Sequence, residues 1–166
     1  MGLDFSLYKK RKDISIRKFW NEVDKIEYKE FVDTYELAYG RKSWELVYEL
    51  ATEDDIEEGY GILKPESWTK LMNSLSSIGN DLNDIDKAYN SLYYSHNATY
   101  PELFVTEEDR KLITRYEHWY HDTFNDTPTL GYDFSVGYMI SFWEAKDKVY
   151  EVLRDPNYEV LMNISY

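Results

Sequence analysis

The period of the apolar positions changes repeatedly along the chain, and each change marks an element. Leu3, Phe5 and Leu7 alternate with Asp4, Ser6 and Tyr8, which is the repeat of a half-buried strand, so the pattern predicts a first strand over 3–8. Ser15 then precedes Ile16, Phe19, Trp20, Val23 and Ile26 at three- and four-residue steps. A hydroxyl ahead of such a stripe is an N-cap, because its oxygen accepts a backbone N–H that the first helical turn leaves unpaired. A short helical piece is predicted over 28–32. Tyr35, Leu37 and Tyr39 predict a second strand over 34–39, ended by Gly40, and Trp44, Val47, Tyr48 and Ala51 form the next helical stripe.

Glu53, Asp54, Asp55, Glu57 and Glu58, followed by Gly59-Tyr60-Gly61, read as an acidic turn or loop, because like charges repel and two glycines loosen the backbone. Pro65 stands where a helix would begin, its ring matching the required φ, and Trp68, Leu71, Met72 and Leu75 follow at helical spacing. Gly79-Asn80 interrupts the pattern before a second helix over 81–94, with Leu82, Ile85, Ala88, Tyr89 and Leu92 on one side, and the two read as a helical hairpin. Residues 96–101 read as a loop. Thr106 with Asp109 three residues later, and Glu107 and Glu108 between them, mark the start of a helix to about 124. A loop over 125–131 leads to a helix over 135–153, with Met139, Phe142, Trp143, Val149, Tyr150 and Leu153 on its apolar side. Tyr158, Val160, Met162 and Ile164 alternate again and predict a last strand able to pair with the first. The expected fold is α+β, four to five helices packed on a small, mainly antiparallel sheet. With 166 residues, no internal repeat and no low-complexity linker, a single domain over 1–166 is expected.

Composition narrows the chemistry. There is no cysteine, which removes disulfides, a thiolate nucleophile and Cys-containing zinc sites. The N-terminus, with Asp4 early and Lys9-Lys10-Arg11-Lys12 downstream, has the wrong order for a secretory signal, and no apolar run approaches the roughly 18 residues of a spanning helix. The triplets at Asn97 and Asn163 therefore read as chance glycosylation matches, and the expected location is a cytoplasm.

Net charge is −13, from 32 acids and 19 bases, and it is concentrated in the middle. Residues 1–50 balance at ten and ten, while 51–110 carry thirteen acids and four bases. A field of that sign repels free nucleic acid and attracts basic proteins, although a charged surface also serves solubility alone. The basic run at 9–12, with Arg17 and Lys18, could touch phosphate, but such a run is more often a solvated turn after an edge strand.

His118 and His121 are one helical turn apart and could share a face as a metal pair if further ligands arrived from elsewhere. The zinc-protease spacing is absent, and so are the glycine-rich nucleotide loops and the serine elbow. Carboxylate pairs are too abundant to single one out for acid/base work. No cofactor is expected. The more unusual feature is 17 tyrosines, 7 phenylalanines and 5 tryptophans. One stripe per helix cannot bury them all, so Tyr93, Tyr94, Tyr100, Tyr116, Tyr120, Tyr132 and Tyr138 are expected to reach the surface in part, where tyrosine acts as an interface anchor.

The opening Met1-Gly2-Leu3-Asp4, the strand after it, Tyr39, Arg41-Lys42 and the amphipathic helix from Ser43 resemble a group of small bacteriophage and prophage proteins that begin the same way. Gly40 stands where that group usually has tryptophan. The resemblance implies a phage origin and no settled activity. Small acidic phage proteins often block host defence, and the likeness to anti-CRISPR proteins is one of character, not motif. The expected function is a non-enzymatic, protein-binding inhibitor of a basic host protein such as a nucleic-acid-binding nuclease, with no direct binding to nucleic acid or membrane. Its expected surface is Glu53, Asp54, Asp55, Glu57, Glu58, Tyr60, Asp81, Asp84, Asp86, Tyr93 and Tyr94. A metal-dependent enzyme using His118 and His121, or an oligomeric phage assembly accessory, are the alternatives, and a homodimer is compatible with the tyrosine surface.

Overall fold

In the computed structural model, which describes residues 4–22, 50, 59–96, 98–125 and 135–165, the N-terminal alternation becomes strand β1 (Asp4–Arg11). It runs three residues beyond the predicted end because it pairs residue for residue with the antiparallel strand β3 (Tyr158–Ser165), from Asp4 opposite Ser165 to Arg11 opposite Tyr158. The basic run is thus in part strand and not a solvated turn. Lys10, opposite Glu159, is only 2 % exposed; its Nζ lies 2.6 Å from Glu159 Oε1 and donates to the carbonyls of Arg11 and Ile14 at 2.8 and 2.7 Å. All three ammonium donors are used, which offsets the cost of removing the charge from water.

Tyr60 and Gly61, expected in the acidic loop, belong to a third strand, β2 (Tyr60–Ile62), entered from Gly59 at a φ of 85°. It pairs antiparallel with β3 from Tyr60 opposite Asn163 to Ile62 opposite Leu161, so the sheet order is β1-β3-β2. A strand of three residues is too short for alternation to reveal it; the open edge of β3 specifies it.

Helix α1 (Ile16–Glu22) covers one face of this sheet, capped by Ser15 Oγ accepting the Lys18 N–H at 3.1 Å. Phe19 and Leu161 are buried there, and Trp20 packs its ring 5.0 Å from Tyr8 and 5.1 Å from Tyr60. Leu7, Leu63, Val160 and Met162 face the other way, into the main helical core. Because β3 is covered on both sides, Val160, Leu161 and Met162 are all buried, and its centre reads as a continuous apolar run.

The remaining helices follow the predicted stripes. In α2 (Pro65–Leu75) Pro65 opens the helix and Trp68, Leu71, Met72 and Leu75 are all buried. A 3-10 turn (Gly79–Asp81) leads to α3 (Leu82–Ser95). In α4 (Glu107–Phe124) a capping box closes the first turn: Asp109 N–H donates to Thr106 Oγ1 at 3.1 Å and Thr106 N–H to Asp109 Oδ2 at 2.9 Å. Asn125, at a φ of 52°, ends it. Helix α5 (Ser135–Arg154) precedes β3. The described residues therefore form an α+β fold of five α-helices and a three-stranded antiparallel sheet.

The expected α2–α3 hairpin is corrected. α3 packs chiefly on α4, while α5 packs on α2, α3 and β3. The reason is Gly79, whose missing side chain lets the Trp143 ring of α5 sit against the turn that joins α2 to α3. The pieces predicted at 28–32 and 34–39, the stripe from Trp44 to Ala51 apart from Leu50, and residues 126–134 lie outside the described residues.

Candidate interaction surface

α3 buries Leu82, Ile85 and Ala88, and Tyr89 and Leu92 are half-buried as the helix leaves the core. At its last turn the next aromatics face water: Tyr93 is 47 % and Tyr94 68 % exposed, with their rings edge to face at 5.5 Å. The connection to α4 continues this surface. Ala98 N–H donates to Ser95 O at 3.1 Å, and a 3-10 turn (Pro101–Leu103) is closed by Phe104 and Val105 N–H groups donating to Pro101 O at 3.0 and 3.2 Å. Val105 is buried and anchors the segment, while Tyr100, Leu103 and Phe104 point outward. These five are the exposed large hydrophobic side chains among the described residues, and they fall between positions 93 and 104, at one end of the α3–α4 pair. We call this end the tip.

The tip stands in an acidic stretch. Residues 81–109 contain seven acids and a single lysine, Lys87. Asp84 is exposed, and Asp86 is half-buried, where burial raises its carboxyl above the ordinary aspartate range. Asp81 is engaged elsewhere: Arg115 Nη1 lies 2.5 Å from its Oδ2, and the same guanidinium donates to Ser77 O, tying α4 to the turn before α3. Glu102, Glu107 and Glu108 are exposed beside the tip, the last two in loose contact with Lys111 at 3.8 and 3.4 Å. Exposed pairs of this kind contribute about 0–1 kcal/mol, so these carboxylates remain available to a partner. The expected surface did not include them: in sequence Glu107 and Glu108 serve a helix start, and no period marks Glu102.

The expected site residues are therefore only partly brought together. Tyr93, Tyr94, Asp84 and Asp86 share α3, whereas Tyr60 lies against Trp20 on the α1 side of the sheet, opposite the helical core. Glu53, Asp54, Asp55, Glu57 and Glu58 lie outside the described residues. Of the tyrosines expected outside the core, Tyr93, Tyr94 and Tyr100 are exposed; Tyr116, Tyr120 and Tyr138 are buried, and Tyr132 lies outside the described residues. The α4 aromatics are consumed by a cluster in which Tyr116 packs 5.8 Å from Tyr89 and 5.6 Å from Trp119, and Tyr120 4.8 Å from Phe124. Tyr89, at its edge, has a buried hydroxyl that finds no partner among the described residues, and burial, with the charge of Glu117, raises its phenol above the ordinary tyrosine value.

His118 and His121 are both exposed on α4. His118 shares a shallow surface with Glu107, Arg110, Lys111 and Arg115, and His121 Nδ1 is 3.9 Å from Asp122 Oδ1. No group of three or more His, Asp or Glu side chains among the described residues could hold a metal. A cavity of about 350 Å³ separates α2 from the end of α4, lined in part by Lys70, Ser74, Trp119 and Thr123. Within it Ser74 Oγ and Thr123 Oγ1 share a hydrogen bond at 2.8 Å and Trp119 Nε1 donates to Ser74 O at 2.9 Å. The tip is thus where the exposed large hydrophobic side chains of the described residues are found. Comparison of the chain with protein-family models, with curated proteins and with solved structures finds no match.

Proposed function

We propose that this protein is a non-enzymatic, protein-binding inhibitor, phage-encoded, that docks on a basic nucleic-acid-binding protein of the host cell through the tip. The observation that carries this reading is the gathering of Tyr93, Tyr94, Tyr100, Leu103 and Phe104 on one exposed, acid-rich end of the α3–α4 pair. Tyrosine and phenylalanine supply large contact area with few rotatable bonds, the usual chemistry of interface anchors. Surrounding carboxylates steer a basic partner to them and repel free nucleic acid, so that the protein competes for a basic groove without binding DNA itself.

The test compares wild type with a Tyr94→Ala/Phe104→Ala variant as affinity bait in bacterial lysate, at low and at high salt. Wild type is expected to retain a nucleic-acid-binding protein at low salt, lose most of it at high salt, and abolish that protein's DNA binding when added in excess. The variant is expected to retain at least about 30-fold less, the loss of about 2 kcal/mol typical of a central anchor. Equal capture by the variant removes the tip from the interface. A captured partner that still binds DNA when saturated removes inhibition from the function.

A further inference from the structure

Three aromatic rings of this chain that are left half-exposed carry one of its own cations. Lys9 Nζ lies 4.3 Å from the ring centroid of Tyr158, Lys146 Nζ 4.1 Å from that of Trp143, and Arg154 Cζ 5.9 Å from that of Tyr150. Each is a cation held by the electron-rich face of an aromatic ring. The tip offers aromatic faces for the same kind of contact. Its rings are more exposed, yet no lysine or arginine occurs anywhere from 88 to 109, while Glu102, Glu107, Glu108 and Asp109 all fall in that stretch. Asp109 is committed to the capping box and Lys111 touches Glu107 and Glu108 only loosely, which leaves three exposed carboxylates in the same stretch as exposed rings on which no described lysine or arginine is stacked.

We infer that the tip is a receptor for arginine side chains in a flexible, arginine-rich segment of the partner. This rests on the protein-binding reading above and specifies the partner's chemistry. A guanidinium is planar, so it can lie on the ring of Tyr94, Tyr100 or Phe104 while its in-plane N–H groups donate to Glu102, Glu107 or Glu108. An ammonium is a compact, strongly hydrated charge that cannot stack and must give up more hydration to approach a ring. The tip projects from the end of a helix pair, with Leu103 74 % and Tyr94 68 % exposed, a shape that an extended segment can wrap. Nucleic-acid-binding proteins carry such segments for phosphate, and the carboxylates beside the tip take the place of phosphate here.

The probes are two synthetic peptides of equal length and charge, nona-arginine and nona-lysine, titrated calorimetrically into the full chain at about physiological ionic strength. Nona-arginine is expected to bind about tenfold or more tightly than nona-lysine, as a few stacked cation–π contacts would give. Tyr94→Ala/Phe104→Ala should erase that preference while leaving the melting temperature unchanged, because both side chains are exposed. Equal affinity for the two peptides overturns arginine recognition and leaves an acidic protein-binding surface standing. A preference that survives in the variant also overturns the inference, since it puts the arginine site elsewhere. Binding of neither peptide overturns it as well, and the lysate capture then decides separately whether the tip binds a folded protein.

Discussion

Half-burial of Asp86 on α3 strips water from a carboxylate that gains no compensating cation, and its affinity for a proton rises. The folded state therefore holds this proton more tightly than the unfolded chain does. The contribution to stability is fully present below the unfolded value near 3.8 and is lost as pH rises through the elevated folded value, so at neutral pH the charged group is a net cost. Asp86→Asn is expected to raise the melting temperature at pH 7, with the advantage over wild type vanishing below about pH 4. Melting curves followed by circular dichroism from pH 3.5 to 8 check this; a variant that melts lower than wild type at pH 7 would show that the carboxylate has a stabilising partner. Lys10 makes the opposite case, a buried charge with every donor satisfied. In sequence it is one of four consecutive bases and reads as solvent-facing. Its burial was not legible because the register that sets Glu159 opposite it comes from the far end of the chain.

At the scale of elements, what the sequence makes legible is what a single helix or strand decides for itself. The four-residue stripe of α2, the Thr106–Asp109 box and the alternation of the two terminal strands are all local patterns, and the structure contains them. What several elements decide together is not legible in this way. Tyr116 is buried where α4 meets Tyr89 of α3, β2 exists because β3 has an open edge, and α2 and α3 separate because Trp143 sits against Gly79. The tip was half legible: Tyr93 and Tyr94 lie past the end of a stripe that the period shows, whereas Leu103 and Phe104 sit in a turn that has no period to read. Gly79 also yields a prediction. A Cβ there would lie inside the van der Waals surface of the Trp143 ring, whose shift would disturb the contact of α5 with both helices. Gly79→Ala is expected to lower stability by about 1–3 kcal/mol, the usual cost of overpacking, as read from urea unfolding. An unchanged midpoint would mean that α5 can move aside freely.

For the whole molecule, the proposed function has the charge of −13 acting at long range and the tip at contact, and kinetics separate the two. Encounter with a basic partner depends on the summed field and is screened by salt, whereas the lifetime of the complex depends on rings buried once it has formed. Replacing Glu102, Glu107 and Glu108 with glutamine removes three negative charges beside the tip and leaves its aromatic surface intact. Measured by surface plasmon resonance against the captured partner, this variant is expected to associate several-fold to about tenfold more slowly at low salt, to show a flatter salt dependence, and to dissociate at nearly the wild-type rate. Tyr94→Ala should do the reverse, with an association rate close to wild type and a dissociation rate raised by about tenfold or more. If instead the glutamine variant associates as fast as wild type, steering belongs to the acids that lie outside this surface, among them Glu53, Asp54, Asp55, Glu57 and Glu58, and the tip contributes only contact.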